Sequence, residues 1–403
     1  MKKKTIVSND DTKGSSIQRV NLPPEILADI LSRLSVKFLC QLKCVSPSWN
    51  SLISSPYFAK THLKRNPPSQ RIILVCDSED LYSVDFADEN PAAEKLDFPS
   101  VQYSHKWQWV KVLGSCNGLL LVYGQGHSQF LLNPSTRERK KLPDYPSSFI
   151  LDLICQPFIY LHGFGYDSST DDYKAVMLSC RYNISGSRFY CDWDGNITYV
   201  FVYSLKTDAW RRIQGSHCRP LECCGRPSGV YFNERLHWLC KRSGDSDGSL
   251  VIVAFDLSDE IFREVPTLFS YSMIWYHRMA VLGGCLCVIV YTPSFCNELW
   301  MMKEYGVRDS WTKFTITKFA INTETVLVDW FCLLAEDEIL LKTRTKGNLL
   351  EEVDQDELVV YNRKKKIVRD MVVRGIPPKC QYGGTYVESL VSPNHGGGMG
   401  RNE

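Results

Sequence analysis

The residues best equipped for chemistry in this chain are few and scattered. His217-Cys218 and Cys223-Cys224 form the tightest cluster of soft ligands. Their spacing fits no zinc template, and no Cys-x-x-Cys pair occurs, so a loop with incidental thiols is expected and no metal is assigned. Asp171-Asp172 and Glu351-Glu352 pair carboxylates, the raw material of a glycosidase. Such a pair needs one member desolvated to hold its proton at neutral pH, and both pairs fall in polar turns. Gly163-Phe164-Gly165 runs into the turn Asp167 to Asp172 instead of opening a helix, a poor cradle for phosphate. No His-Glu-x-x-His or Walker-type loop occurs. A non-catalytic chain without a cofactor is therefore expected.

Charge narrows the partners. Arg137 to Lys141 and Arg363 to Lys366 are basic runs on predicted hairpin turns, where solvated surface is the ordinary outcome. A net charge of +2 over 403 residues points to neither a nucleic acid nor an anionic membrane as main partner. No apolar run is long enough to cross a bilayer. Residues Met1 to Lys13 place no apolar segment behind Lys2, Lys3 and Lys4, unlike a secretory signal. The 16 cysteines are then expected to be reduced, in cytoplasm and/or nucleus. Cys116, Cys180, Cys240, Cys285, Cys287 and Cys332 sit in apolar runs, where a free thiol behaves as a small hydrophobe.

Two kinds of element hold these residues. Asn21-Leu22-Pro23-Pro24-Glu25 opens a helix, and Ile26, Leu27, Ile30, Leu31 and Leu34 follow at helical spacing. Val36, Leu39, Leu42 and Val45 suggest a second short helix. Ser46-Pro47 caps a third, which carries Trp49, Leu52 and Ile53. Three helices this short must pack on each other or on a partner.

The stretch from Leu22-Pro23-Pro24-Glu25-Ile26-Leu27 through Leu31-Ser32-Arg33-Leu34 to Val45-Ser46-Pro47-Ser48-Trp49 resembles an F-box. The resemblance implies docking to an Skp-type adaptor through Leu22, Pro23, Ile26, Ile30, Leu31, Leu34, Val45 and Trp49, with Trp49 anchoring the third helix. Ser35 and Pro47 depart from the family pattern, which usually has a proline and a basic residue there. Neither change removes an apolar contact.

Beyond Asn66-Pro67-Pro68 the chain turns strand-rich. A unit recurs in which an apolar strand ends in a polar turn and a second strand follows. Its anchors are Asn133, Ser204, Asp256 and Asn362, with a first instance at Leu81 to Asp85 and another at Leu299 to Met302. Asn117-Gly118, Asn233-Glu234, Gly283-Gly284 and Glu336-Asp337 supply a second hairpin per unit. Two hairpins make a four-stranded sheet, and the period of roughly 50 to 60 residues, lengthened by insertions, is near that of kelch repeats. About six such sheets hide their edges best in a ring, so a β-propeller of about six four-stranded blades is expected, an open sandwich being the alternative. The first unit lacks leading strands, and the run Gly384 to Val391 is placed to close the ring across the chain ends.

Gly114-Ser115-Cys116-Asn117-Gly118-Leu119, Leu132-Asn133-Pro134-Ser135-Thr136, Gly163-Phe164-Gly165-Tyr166-Asp167, Asp172-Tyr173-Lys174, Trp300 to Gly306 and Ser310-Trp311-Thr312-Lys313 resemble the F-box-associated domain of plant F-box/kelch-repeat proteins. The expected organisation is a tail to residue 19, an F-box over 20–65, a linker over 66–70, a β-propeller over 71–392 and a tail from 393. The two resemblances imply a substrate-recognition adaptor that meets a cullin through its Skp-type partner and holds a target protein for ubiquitination. Insertions at 144–161, 180–198 and 214–227, around Tyr145, Trp193 and Arg219, are the candidate target contacts, and loop aromatics Trp107, Trp109 and Tyr199 are candidate anchors. An Skp-binding protein without ligase output, and a propeller lectin or enzyme, are the competing functions.

Overall fold

The computed structural model describes residues 22–66, 70–76, 80–86, 90–96, 110–124, 128–145, 158–181, 197–215, 219–220, 228–241, 249–270, 276–291, 297–316, 325–346, 355–376 and 380–394. Four helices lead: α1 (Pro24–Leu31), α2 (Val36–Leu42), α3 (Pro47–Ile53) and α4 (Pro56–Arg65). The fourth adds to the three expected, and its signal repeats that of α3. Ser46 and Ser55 each precede a first-turn proline and accept the amides of Trp49 and Phe58 at 3.2 Å. Leu31, Val36, Leu39, Ile53, Phe58 and Ala59 bury one shared core, joined from far along the chain by Leu390.

Six antiparallel sheets follow. Blade 1 holds β1 (Gln70–Cys76), β2 (Leu81–Asp85) and β3 (Ala93–Leu96). Blade 2 holds β4 (Lys111–Cys116), β5 (Leu119–Tyr123), β6 (Gln129–Asn133) and β7 (Glu138–Lys141). Blade 3 holds β8 (Phe158–Asp167), β9 (Asp172–Arg181), β10 (Ile197–Ser204) and β11 (Ala209–Ile213). Blade 4 holds β12 (Arg219–Pro220), β13 (Val230–Phe232), β14 (Arg235–Lys241), β15 (Ser249–Asp256) and β16 (Phe262–Ser270). Blade 5 holds β17 (Tyr276–Leu282), β18 (Cys285–Tyr291), β19 (Asn297–Met302) and β20 (Trp311–Ile316). Blade 6 holds β21 (Thr325–Ala335), β22 (Glu338–Lys346), β23 (Gln355–Asn362) and β24 (Ile367–Asp370). The last strand, β25 (Cys380–Val387), pairs with β1 and completes blade 1.

The inner strands β4, β8, β13, β17, β21 and β25 each touch the next, and β25 returns to β4. The ring is thus closed by the chain's last strand, as expected, although that strand begins and ends about four residues earlier than the run Gly384 to Val391. Blade 4 departs by carrying a fifth strand, since β12 and β13 both pair with β14.

Closure explains the continuous apolar strands. Each blade buries both faces, so alternate side chains enter different cores. Leu119 and Leu121 pack between blades 2 and 3, whereas Leu120 and Val122 pack between blades 1 and 2. Val251, Val253 and Phe255 face blade 3, whereas Leu250, Ile252 and Ala254 face blade 5. The outermost strands have no such neighbour, and β7, of sequence Glu-Arg-Lys-Lys, shows the charged surface that protects an edge.

The recurrent anchors are turn initiators. The Asn133 side-chain oxygen accepts the amides of Ser135 (2.8 Å) and Thr136 (3.3 Å), and Asp256 does the same for Ser258 and Asp259. Ser204 and Asn362 accept from Thr207 and Lys365. Each turn then ends on a positive-φ residue: Arg137, Asp208, Glu260 or Lys366. Asn117-Gly118, Asn233-Glu234 and Gly283-Gly284 have two positive φ angles each, the signature of tight two-residue hairpins.

In an up-and-down blade successive connections alternate between the two ends. The short turns just described therefore share one face of the ring. The connections joining β7 to β8, β9 to β10, and β11 to blade 4 all begin and end at the other.

Candidate docking surfaces

The helical cluster presents apolar side chains that its own core does not use. Leu22, Ile26 and Ile30 are 48%, 50% and 45% exposed; Ile26 and Ile30 share one side of α1, and Leu22 stands just before its first turn. On and after α2, Phe38 and Val45 are 61% and 59% exposed. Pro23 is exposed too, its carbonyl accepting the Leu27 amide at 3.0 Å. The other residues expected at this surface face elsewhere. Leu31 is 1% exposed and belongs to the core, while Leu34 and Trp49 are half-buried and pack against it. Phe38 escaped the sequence reading although the stripe Val36, Leu39 and Leu42 turned inward leaves it outward.

Charged groups brace α1. Asp29 bridges Arg33 at 3.0 Å and Arg65 of α4 at 2.5 Å. The hydrogen bond from Arg65, then that from Arg33, holds its carboxyl below the usual range. The His62 ring, buried in α4, donates from Nε2 to the Leu34 carbonyl at 2.8 Å. These contacts fix α1 against α4 without covering Leu22, Ile26 or Ile30.

The cluster sits on the turn face of blades 2 and 3. Lys60 pairs with Asp171, in the β8–β9 turn, and the Cys40 thiol lies 3.9 Å from the Ser135 carbonyl. Leu63 packs on the core between these blades. The insertions expected to hold a target join strand ends at the opposite face. Most of their residues, Trp193 included, lie outside the described residues, as do Trp107 and Trp109. Tyr145 is described and packs as structure. Its ring lies 4.7 Å from that of Trp210 and 6.2 Å from that of Phe201. Arg219 stands in strand β12 opposite Lys241, so the insertion 214–227 is not wholly loop. Tyr199 carries the Arg212 guanidinium 4.2 Å above its ring.

The chemical constellations resolve into framework. Asp171 accepts from Tyr166 and pairs with Lys60, whereas Asp172 accepts from the Lys206 amide at 2.9 Å and the Ser204 hydroxyl at 2.5 Å. Both line one cleft beside α4, but each is already engaged by these framework donors. Glu351-Glu352, His217-Cys218 and Cys223-Cys224 lie outside the described residues, and among the described residues no cluster suited to a metal occurs. The basic runs meet acids, as in Arg137 with Glu94, Lys140 with Asp208 and Lys364 with Asp337. Gly165 lies in β8 because a Cβ there would meet the Tyr231 ring at 2.3 Å. Burial pushes the Cys287 thiol up to about 12 and raises Cys116 and Cys332 as well, leaving them unreactive. Gly244-Asp245-Ser246-Asp247-Gly248 carries nucleophile-elbow spacing that the sequence reading overlooked. It joins antiparallel β14 and β15, whereas an elbow joins a strand to a helix. Among the described residues no helix is long and apolar enough to cross a membrane.

Family comparison matches this geometry. Residues 71–393 match the F-box associated beta propeller domain, and residues 20–61 match the F-box domain. Among similar Arabidopsis thaliana proteins, F-box protein At3g07870 is 28% identical, covering 93% of both chains. F-box protein CPR1 is 30% identical, covering 88% of this chain and 85% of its own. F-box/kelch-repeat protein At3g23880 is 28% identical, covering 75% and 81%. An F-box implies binding to an Skp-type adaptor, and an F-box joined to a propeller is the make-up of a substrate-recognition adaptor. The chain therefore belongs to the family of F-box proteins that carry an F-box associated β-propeller domain.

Proposed function

We propose that this chain is the substrate-recognition subunit of an SCF-type cullin-RING ubiquitin ligase. It docks an Skp-type adaptor, and through it a cullin, by α1 and the end of α2, and it offers a target protein the propeller face opposite the helices. The observation that carries this is the exposure of Leu22, Ile26, Ile30, Phe38 and Val45 on a cluster whose core is already filled. Side chains of this size each gain about 1.5–3 kcal/mol on full burial, so a partner surface is the natural cover. Leu31, Leu34 and Trp49 support the docking residues from behind. The chain itself performs no bond chemistry. It raises the local concentration of target lysines beside a charged ubiquitin carrier, which is an entropic contribution to rate. Its expected place is the cytoplasm and/or nucleus.

Co-purification with an Skp-type adaptor tests the reading. Wild type should capture the adaptor, while Leu22→Ala/Pro23→Ala and Ile26→Asp/Ile30→Asp should lose it. A wild type that captures nothing, or variants that bind unchanged, would overturn it. Reconstitution with a cullin-RING core should then label a recovered target with ubiquitin.

A further inference from the structure

After β25 the chain crosses the turn face and enters two cores in succession. Leu390 is buried among Leu31, Val36, Leu39, Ile53 and Phe58 of the helices, and Val391 enters the core between blades 2 and 3. Asn133 clamps the segment at this crossing. Its side-chain amide donates to the carbonyls of Ser389 (3.0 Å) and Val391 (2.7 Å) while its oxygen holds its own turn. Glu388 pairs with Arg71 at 2.9 Å, and the Ser392 hydroxyl bonds the Glu138 carboxylate.

Elsewhere the helices meet the ring through Leu63 of α4, packed on the core between blades 2 and 3, and through polar contacts. The Lys60–Asp171 pair is part-exposed, and exposed pairs contribute little. A cleft of ≈ 260 Å³, lined by Ala59, Lys60, Asp172, Leu205 and Leu390, opens between α4 and the blade 3 turns. Beside it Leu390 spans the joint from the propeller side, entering the core of the helices themselves.

We propose that Glu388 to Ser392 form a latch that fixes the orientation of the docking helices on the propeller, with Asn133 and Leu390 as positioning residues for transfer to a target on the far face. The helices and that face lie at opposite ends of the ring, so a small rotation at the joint sweeps a bound target through a wide arc. A rigid joint keeps target and ubiquitin carrier in register. Only this last consequence rests on the ligase reading; the latch itself is a property of the free chain.

The test uses the full chain with spin labels carried by genetically encoded amino acids at exposed Ser51 and Lys365, which spares the 16 cysteines. Asn133→Asp is the decisive variant. It keeps the oxygen that holds the turn, yet aims a second oxygen at two carbonyls in a buried site. Wild type and Leu390→Met should give one narrow distance between labels, and Asn133→Asp and Leu390→Asp a broad spread. Hydrogen exchange in α3 and α4 should rise about tenfold or more in both disrupting variants, with β5 and β18 unchanged. Binding of purified Skp-type adaptor should stay the same, because Leu22, Ile26 and Ile30 are untouched. A distance that stays narrow in both variants overturns the latch. Loss of blade protection in both also overturns it, since ring closure would then be the segment's role. A wild type that fails to bind adaptor removes the ligase reading while the distances still judge the latch.

Discussion

Lys174 and Asp167 form a buried ion pair, with Nζ 2.9 Å from Oδ2 and side chains 7% and 0% exposed. The same ammonium reaches Glu260 at 3.2 Å and the Leu257 carbonyl at 2.5 Å, tying blade 3 to the β15–β16 turn of blade 4. Lys174→Met leaves the Asp167 carboxylate without its cation, and breaking a buried pair from one side costs about 3–5 kcal/mol. The urea midpoint should fall accordingly, with the adaptor surface unaffected.

Acid should loosen the ring in two stages. His237 is buried, its Nδ1–H donating to the Val230 carbonyl (3.1 Å) and its Nε2 accepting from the Tyr305 hydroxyl (2.7 Å). Burial lowers its pKa to about 4, and lowers that of His277 to about 3. Both are neutral when folded, so unfolded chains bind more protons below about pH 6.5. Each contributes a loss of about 1.4 kcal/mol per pH unit as pH falls from there toward its folded value. Asp167 adds a later stage. Burial would raise its pKa, but hydrogen bonds from Ser169, Thr170 and Lys174 outweigh that and hold it well below the carboxylate range. Its contribution is full above about pH 4 and is lost beneath. Unfolding at pH 7, 6 and 5 should show the histidine slope, and His237→Gln should lessen it.

Gly165→Ala should destabilise the propeller by about 1–3 kcal/mol, because the added methyl meets the Tyr231 ring and the Leu257 side chain. Thermal melts of the full chain measure it. An unchanged melt would show that blade 4 has room to shift.

Neighbouring leucine and isoleucine on α1 should separate stability from binding. Leu31→Ala is expected to cost about 2–5 kcal/mol in the helical cluster, as a buried large-to-small change. Ile30→Asp, at a half-exposed position, should leave the melt near wild type and abolish adaptor capture. Equal melts for the two would contradict the placement of α1.

Blade architecture was legible where turn chemistry is local. Asn133, Ser204, Asp256 and Asn362 announce their turns because one side chain satisfies amides two or three residues on, within reach of any sequence pattern. Strand β12 was not legible, since two residues, Arg219 and Pro220, carry no periodicity. On α1 the apolar stripe named the helix but not its rotation. Ile30 and Leu31 look alike in sequence, and only packing against Val36, Leu39 and Phe58 separates them. Leu390 was hidden for another reason. A residue beyond the last strand has no repeating neighbours to give it a face, and its partners lie more than 300 positions away. The target contacts stayed unread because surface loops obey their partner's chemistry rather than the fold's.

Ring closure by β25 also orders events in time. The helices leave the ribosome early, but blade 1 lacks its inner strand until residues 380–387 have been made. At synthesis rates of 5–20 residues per second that interval is on the order of a minute or less. A nascent or prematurely stopped chain therefore carries adaptor-facing helices before it carries a finished ring, and an adaptor that engages during that window meets an F-box with nothing yet assembled to deliver.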